Sequence, residues 1–287
     1  MAVPIINDWT KYFDNPDEGL GSSYERIVLN KLLDYVCKVY KIQSALETPC
    51  FGFTGISGIN LLNLARQGIK VSLEDHNLER LEKIRELWQE LRLHTDIKYN
   101  PDYVQLDYPE KHFDLGFNFS ALWFTQNIKS FLSEFCRVCH KAILICVPNR
   151  NGIGYKMQIK DYTPEKYPFL HPEYLDLATI RYLMKQNKWQ LEDENYIDCP
   201  PWPDIGMKKE LFLNRLLKKQ EIQEKDTEPV TILSYYQEED SKFAEKMFRY
   251  SFVERTAPKQ FKKYWAHHYY LLFTPENKKK KKKIVIL

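Results

Sequence analysis

The stretch from Ala45 to Asp75, ALETPCFGFTGISGINLLNLARQGIKVSLED, leaves this chain few folds to choose from. An apolar run stops at Glu47, and Gly52, Gly55 and Gly58 follow in a loop that also carries Thr54 and Ser57. Ile59, Leu62 and Ala65 then recur about one helical turn apart. A second apolar run, Ile69–Leu73, closes on Glu74 and Asp75. Strand, glycine loop, helix and acid-ended strand is a way in which an α/β sheet builds a nucleotide-type site. Small residues let the backbone approach a ligand, and the helix N-terminus offers free N–H groups. The acid closing the second strand can take both ribose hydroxyls. Glycine spacing alone does not say which nucleoside is bound.

The rest of the chain repeats the alternation. Ser22 or Ser23 can cap a helix running to about Tyr40, and the first strand is expected over about Ile42–Glu47. Asn77 caps the helix LERLEKIRELWQELR. The stretch HTDIKYNPDYVQLDYPEKH is blurred by two prolines, whereas Phe113–Phe119 and Ala142–Val147 are clear buried strands. Helices are expected over about Ile128–Cys139 and Pro172–Asn187, and strands over Trp189–Ile197 and Tyr269–Phe273. Strands separated by helices imply a mostly parallel sheet covered on both faces. About sixty residues of helical, charged sequence lie between the last two strands, too long for an ordinary loop and expected to form a cap beside the site.

Composition removes several function classes. Hydrophobic residues at 44% suffice for a core, so global disorder is not expected. No apolar run reaches the ~20 residues of a membrane span. The N-terminus lacks a basic start and a signal-like core, and the expectation is a soluble cytoplasmic protein. The formal charge of +3 becomes −3 once the six lysines Lys278–Lys283 are set aside. An acidic body argues against a dedicated nucleic-acid groove. Cys136, Cys139 and His140 spell a C-x-x-C-H string, but covalent haem needs an exported protein, and a zinc site would need a second ligand pair at suitable spacing. No metal is expected.

Four segments together resemble the class I S-adenosylmethionine-dependent methyltransferases. They are ALET with the glycine loop and LLNLA, then KVSLED, then PDYVQLDYPEKHFDLGFNF, then FLSEFCRVCHKAILICVPN. The resemblance spans about residues 40–200 plus the final strand. It implies a Rossmann-like, doubly wound sheet of seven strands, mostly parallel with an antiparallel last strand, and a helical insertion before that strand. The corresponding organisation is an N-terminal cap segment and helix over 1–40, a core over 41–204 with 263–276, an insertion over 205–262 that would act as a lid, and a disordered Lys-rich tail over 277–287. The departure from the family lies in the loop, which is longer than the usual E-x-G-x-G-x-G.

The resemblance also implies roles. S-adenosylmethionine is the expected cofactor. Glu47 would orient its amino group, and Gly52, Thr54, Gly55 and Gly58 would form the loop facing its carboxylate. Asp75 would chelate the ribose hydroxyls, His76 would lie against the adenine edge, Asp102 would accept from the adenine amino group, and Asn118 would end the fourth strand at the cofactor. Tyr12, Tyr24, Trp123, Asn149 and Trp202 are candidates for contact with the acceptor. No Asp/His pair identifies itself as a general base, and no catalytic residue is named. The strand-four end lacks an Asn/Asp-Pro-Pro-Tyr string, which with the acidic body favours a small-molecule acceptor. Three rival functions have sequence support: an NAD-dependent oxidoreductase, which would want G-x-G-x-x-G directly after the strand; a non-catalytic methyltransferase-like binding protein, which suits the lengthened loop; and an RNA methyltransferase using the lysine tail. Oligomeric state is not legible.

Overall fold

The computed structural model describes residues 9–15, 19–51, 55–202, 231–238 and 240–276. Seven strands form one sheet: β1 (Ser44–Glu47), β2 (Lys70–Asp75), β3 (Asp96–Tyr99), β4 (Phe113–Phe119), β5 (Cys139–Pro148), β6 (Trp189–Ile197) and β7 (His268–Pro275). Their order is β3-β2-β1-β4-β5-β7-β6. β7 runs antiparallel to both neighbours, so the other six point the same way. The expected doubly wound sheet with an antiparallel last strand is the one observed.

The elements form for local reasons. Every residue of β4 is buried, and so is β5 from Ala142 to Pro148, as central parallel strands covered on both faces require. Asn77 caps the helix Leu78–Glu90, its side chain accepting from Arg80 N–H at 2.9 Å, and Asn127 and Asp176 cap the helices Ile128–Val138 and Leu177–Gln186 in the same way. Each such cap satisfies a backbone donor that the helix itself leaves open. Asp114 fixes the entry to β4, accepting from Gln43 N–H and pairing with Lys141 at 2.8 Å and His140 at 3.1 Å. Glu134 and Arg137, three residues apart on one helix, form an ion pair at 2.7 Å. Cys136 and Cys139 are buried thiols.

Two boundaries differ from expectation. The helix after the glycine loop begins at Leu62 instead of Ile59, because Gly58 at φ 71° turns the chain just before it and gives its carbonyl to Trp88 Nε1 at 2.9 Å. The blurred third strand is only Asp96–Tyr99, and residues 100–112 pass into a loop fastened by Asn100 N–H to the Asp75 carbonyl.

The helix Gly19–Tyr40 covers one face and buries Tyr24, Ile27, Val28, Leu32, Leu33 and Val36. The described part of the insertion joins the same core: Leu233, Tyr236, Phe243 and Met247 belong to the cluster that includes this helix. Residues 205–230 of the expected lid and the lysine tail fall outside the described residues. Among the described residues, no helix is long and apolar enough to cross a membrane.

Gly116 shows how tightly the sheet meets its helices. A Cβ there would sit 2.7 Å from Cys139 Sγ and 2.8 Å from the Phe135 ring. Gly116→Ala is therefore expected to lower stability by about 1–3 kcal/mol through overpacking, read as a lower denaturation midpoint in urea with an unchanged slope.

Candidate functional site

The strand order reverses between β1 and β4, and the carboxyl ends of these strands open the crevice where open α/β sheets take ligands. Glu47 closes β1 and is buried. Its Oε1 accepts from Asn60 Nδ2 at 2.6 Å, Asn60 Oδ1 accepts from Arg26 Nη1 at 2.5 Å, and Arg26 Nη2 donates to the Ile56 carbonyl at 2.8 Å. One helix is thereby bolted to the strand end and to the loop. Burial pushes the Glu47 carboxyl up to about 7 against the opposing pull of Asn60 and Arg26. Its second oxygen, Oε2, has no hydrogen-bond partner among the described residues.

The loop itself is braced from behind. Cys50 N–H donates to the Glu74 carbonyl at 2.8 Å and Gly58 N–H to the Cys50 carbonyl at 3.1 Å. Gly55 adopts φ 75°, a left-handed conformation that glycine takes without steric cost. Gly52 and Thr54 lie outside the described residues. Opposite the loop, Asn118 at the end of β4 donates from Nδ2 to the Thr48 carbonyl at 2.8 Å, while its Oδ1 and the nearby Ser120 Oγ are buried without a partner.

Asp75 is where expectation and arrangement part. Its carboxylate is buried and already saturated. Arg80 donates from Nε to Oδ2 at 2.8 Å and from Nη2 to Oδ1 at 2.5 Å, and Asn77 N–H reaches Oδ1 at 2.9 Å. The Arg80 guanidinium lies 4.2 Å from the centre of the Phe51 ring, a cation–π contact. The acid expected to hold a ribose holds this arginine. His76 Nδ1 contacts the Tyr103 hydroxyl at 2.8 Å, and burial pushes its pKa down. Asp102 caps a local turn through Val104 N–H, and the inward position in that loop belongs to Asn100, which reaches Glu74 Oε2 at 3.3 Å.

The acceptor candidates separate. Tyr24 is fully buried and donates its hydroxyl to Glu254 Oε2 at 2.8 Å, with its ring 5.7 Å from that of Trp202. Trp123 is fully buried, with Nε1 bonded to the Ser120 carbonyl and its ring stacked on Tyr155. Tyr12 packs at the margin of the core. Asn149 donates to the carbonyls of Ala266 at 2.8 Å and Lys263 at 3.0 Å, tying β5 to the approach to β7. It also lines a cavity of about 340 Å³ with Asp176, Tyr196 and Tyr269. Tyr24 and Trp202 meet; Trp123 and Asn149 lie in other contacts.

Sequence reasoning offers Arg26, with Tyr12 and Tyr24, as a side chain the N-terminal segment could bring over the site, and misses Asn60, Arg80, Asp198, Glu254 and His268. Arg80 lies in a helix whose charged residues otherwise read as solvated. Only Asn60, directly after the glycine loop, carried a positional signal.

Residues 53–146 match a family model described as a methyltransferase domain. No curated protein matches the chain. Among solved structures, the plantazolicin methyltransferase BamL, determined with a triazolic desmethylPZN analog and SAH, is similar at 14% identity and a TM-score of 0.54, with 96% of this chain and 92% of that one covered. A Galdieria sulphuraria protein assigned as a sarcosine dimethylglycine methyltransferase is similar at 12% identity and a TM-score of 0.53, covering 87% of this chain and 85% of its own. At these identities the likeness is one of fold.

Two outcomes follow from the buried charges. Asp75→Ala leaves the buried Arg80 guanidinium without its carboxylate and is expected to cost about 3–5 kcal/mol, whereas Asp75→Ala combined with Arg80→Met is expected to recover most of that loss in chemical denaturation. Glu47, Glu74 and Glu254 are each pushed up to about 7, chiefly by burial. Their folded pKa lies above the unfolded value, so the folded chain binds their protons more tightly, and their contribution to stability falls as pH rises from about 4.5 to about 7. Glu74→Gln removes one such group. Its melting temperature relative to the parent is expected to be higher at about pH 8 than at about pH 5.5, and an equal difference at both would contradict this assignment.

Proposed function

We propose that this chain, which carries a methyltransferase domain on a class I fold, transfers a methyl group from S-adenosylmethionine to a small-molecule acceptor. One observation carries the reading. Glu47 Oε2, Asn118 Oδ1 and Ser120 Oγ are buried polar atoms at the ends of β1 and β4 without protein hydrogen-bond partners among the described residues. Buried polar atoms left unsatisfied are costly, and a polar ligand at this edge would supply what they lack.

The residues present fit the cofactor at its amino-acid end. Glu47, whose Oε2 has no partner among the described residues, offers an acceptor to an ammonium, and the Gly55–Gly58 turn allows close backbone approach. At the ribose end, Asp75 can take hydroxyls only by exchanging them for its bonds to Arg80. Ribose capture at this acid therefore carries a rearrangement of Arg80 and Phe51 with it. When bound, S-adenosylmethionine supplies a methyl group on a sulfonium whose thioether leaves readily.

The chain's own contribution is positioning and exclusion of water. Arg26 and Asn60 hold Glu47 in place from the helix side, and Asn118 fixes the spacing of β1 and β4. A small acceptor is supported by the acidic body and by the acceptors named for the similar plantazolicin and sarcosine enzymes.

Calorimetric titration of the full chain with S-adenosylhomocysteine tests the reading. One site is expected, weakened about tenfold or more in Glu47→Gln, the loss of roughly one charge-assisted hydrogen bond. Absence of binding at millimolar concentrations, or binding of NAD in its place, would overturn it.

A further inference from the structure

Three side chains remote in sequence converge where β6 ends and β7 begins. Glu25 comes from the helix Gly19–Tyr40, Asp198 stands one residue past β6, and His268 opens β7. His268 Nδ1 lies 3.6 Å from Glu25 Oε2 and 3.6 Å from Asp198 Oδ2. One ligand atom from each residue lies within 4.8 Å of the other two. Glu25 is 7% exposed, and Asp198 and His268 are 2% exposed. Asp198 Oδ1 has no hydrogen-bond partner among the described residues.

We propose that Glu25, Asp198 and His268 form a binding site for a divalent first-row transition-metal ion at the strand-end edge of the sheet. The donor set, one imidazole nitrogen and two carboxylate oxygens, is of the kind that Zn²⁺ and Mn²⁺ accept. Nitrogen and oxygen ligands lie about 2.0–2.2 Å from zinc, and ligand atoms within 4.8 Å of one another can close on one ion by contraction of the side chains. Two carboxylates this close repel each other when ionised, and buried charges are ordinarily paired or coordinate a metal.

The surroundings hold the ligands as metal ligands are usually held. His267 Nδ1 lies 2.7 Å from Asp198 Oδ2, an outer contact that orients this carboxylate while its Oδ1 remains available. Asp198 adopts φ 61°, a left-handed conformation unusual outside glycine but tolerated by aspartate. Glu254 secures that conformation, accepting from Asp198 N–H at 3.0 Å, Cys199 N–H at 3.2 Å and the Tyr24 hydroxyl at 2.8 Å. The Phe119 ring at the end of β4 lies 4.8 Å from that of His268, so the site adjoins the crevice. An ion there would have coordination positions left for water or an acceptor heteroatom, whose proton it would make easier to remove. The site stands on these side chains alone and does not depend on methyl transfer.

The test uses the full chain, stripped with chelator and titrated calorimetrically with ZnCl₂ and with MnCl₂. One equivalent of at least one ion is expected to bind, with a rise in melting temperature. Glu25→Gln and Asp198→Asn should each weaken that binding at least tenfold. Glu25→Gln is isosteric and lies in a helix, so its circular dichroism and melt are expected to match those of the metal-free parent even if Asp198→Asn fails to fold. X-ray absorption on the zinc-loaded chain should give a nitrogen and oxygen shell only. No binding, binding unaffected by Glu25→Gln, or a sulfur shell from the buried cysteines would overturn the proposal.

Discussion

Arg26 is the cation on which the ligand-facing edge of this sheet depends. Its guanidinium reaches Asn60 and the Ile56 carbonyl, and Asn60 in turn reaches Glu47. Through that chain of bonds the helix Gly19–Tyr40, the glycine loop and the end of β1 become one unit. A bare carboxylate at Glu47 would be expensive to bury. The bonded one holds the loop and leaves an oxygen for a ligand. The polar chain is thus at once a structural brace and the wall of a site.

The same economy of charge governs the next strand end. An isolated carboxylate is costly to bury, and Arg80, five residues on, partners that of Asp75. The pair explains why the loop side chain Phe51 lies over the guanidinium. It also makes the nucleoside end of the crevice self-satisfied in this arrangement, whereas Glu47, Asn118 and Ser120 at the other end keep acceptors unmet among the described residues. Ligand affinity would then be divided unequally along the crevice. Contacts at β1 and β4 add bonds, and contacts at β2 replace bonds already made.

Much of this was legible in the residues. The run AILICV is apolar without alternation, as a strand buried on both faces needs, and FDLGFNF places a large apolar residue at every second position, the strand period. Asn77 and the helix behind it followed the capping rule. The site was less legible because its members serve unrelated local patterns. Glu25 and Arg26 sit in a helix whose apolar positions dominate its periodicity, and Asp198 follows a strand whose middle is half-buried. Nothing in the spacing of positions 25, 198 and 268 signals that they meet. Tyr24 and Trp202, paired in the structure, carried only the general tendency of aromatics to line pockets or cores.

By itself, the sequence determined the strand and helix alternation, the parallel sheet that alternation demands, and the placing of Glu47 and Asp75 at strand ends. Periodicity, caps and turns are local, and local patterns survive in a linear text. Only the tertiary structure decided which groups those acids meet: Asn60, itself held by Arg26, for one, and Arg80 for the other. It also decided that Glu25, Asp198 and His268 come together. Those outcomes depend on how helices dock across the sheet edge, where burial forces each charge to find whatever partner the packing brings within reach.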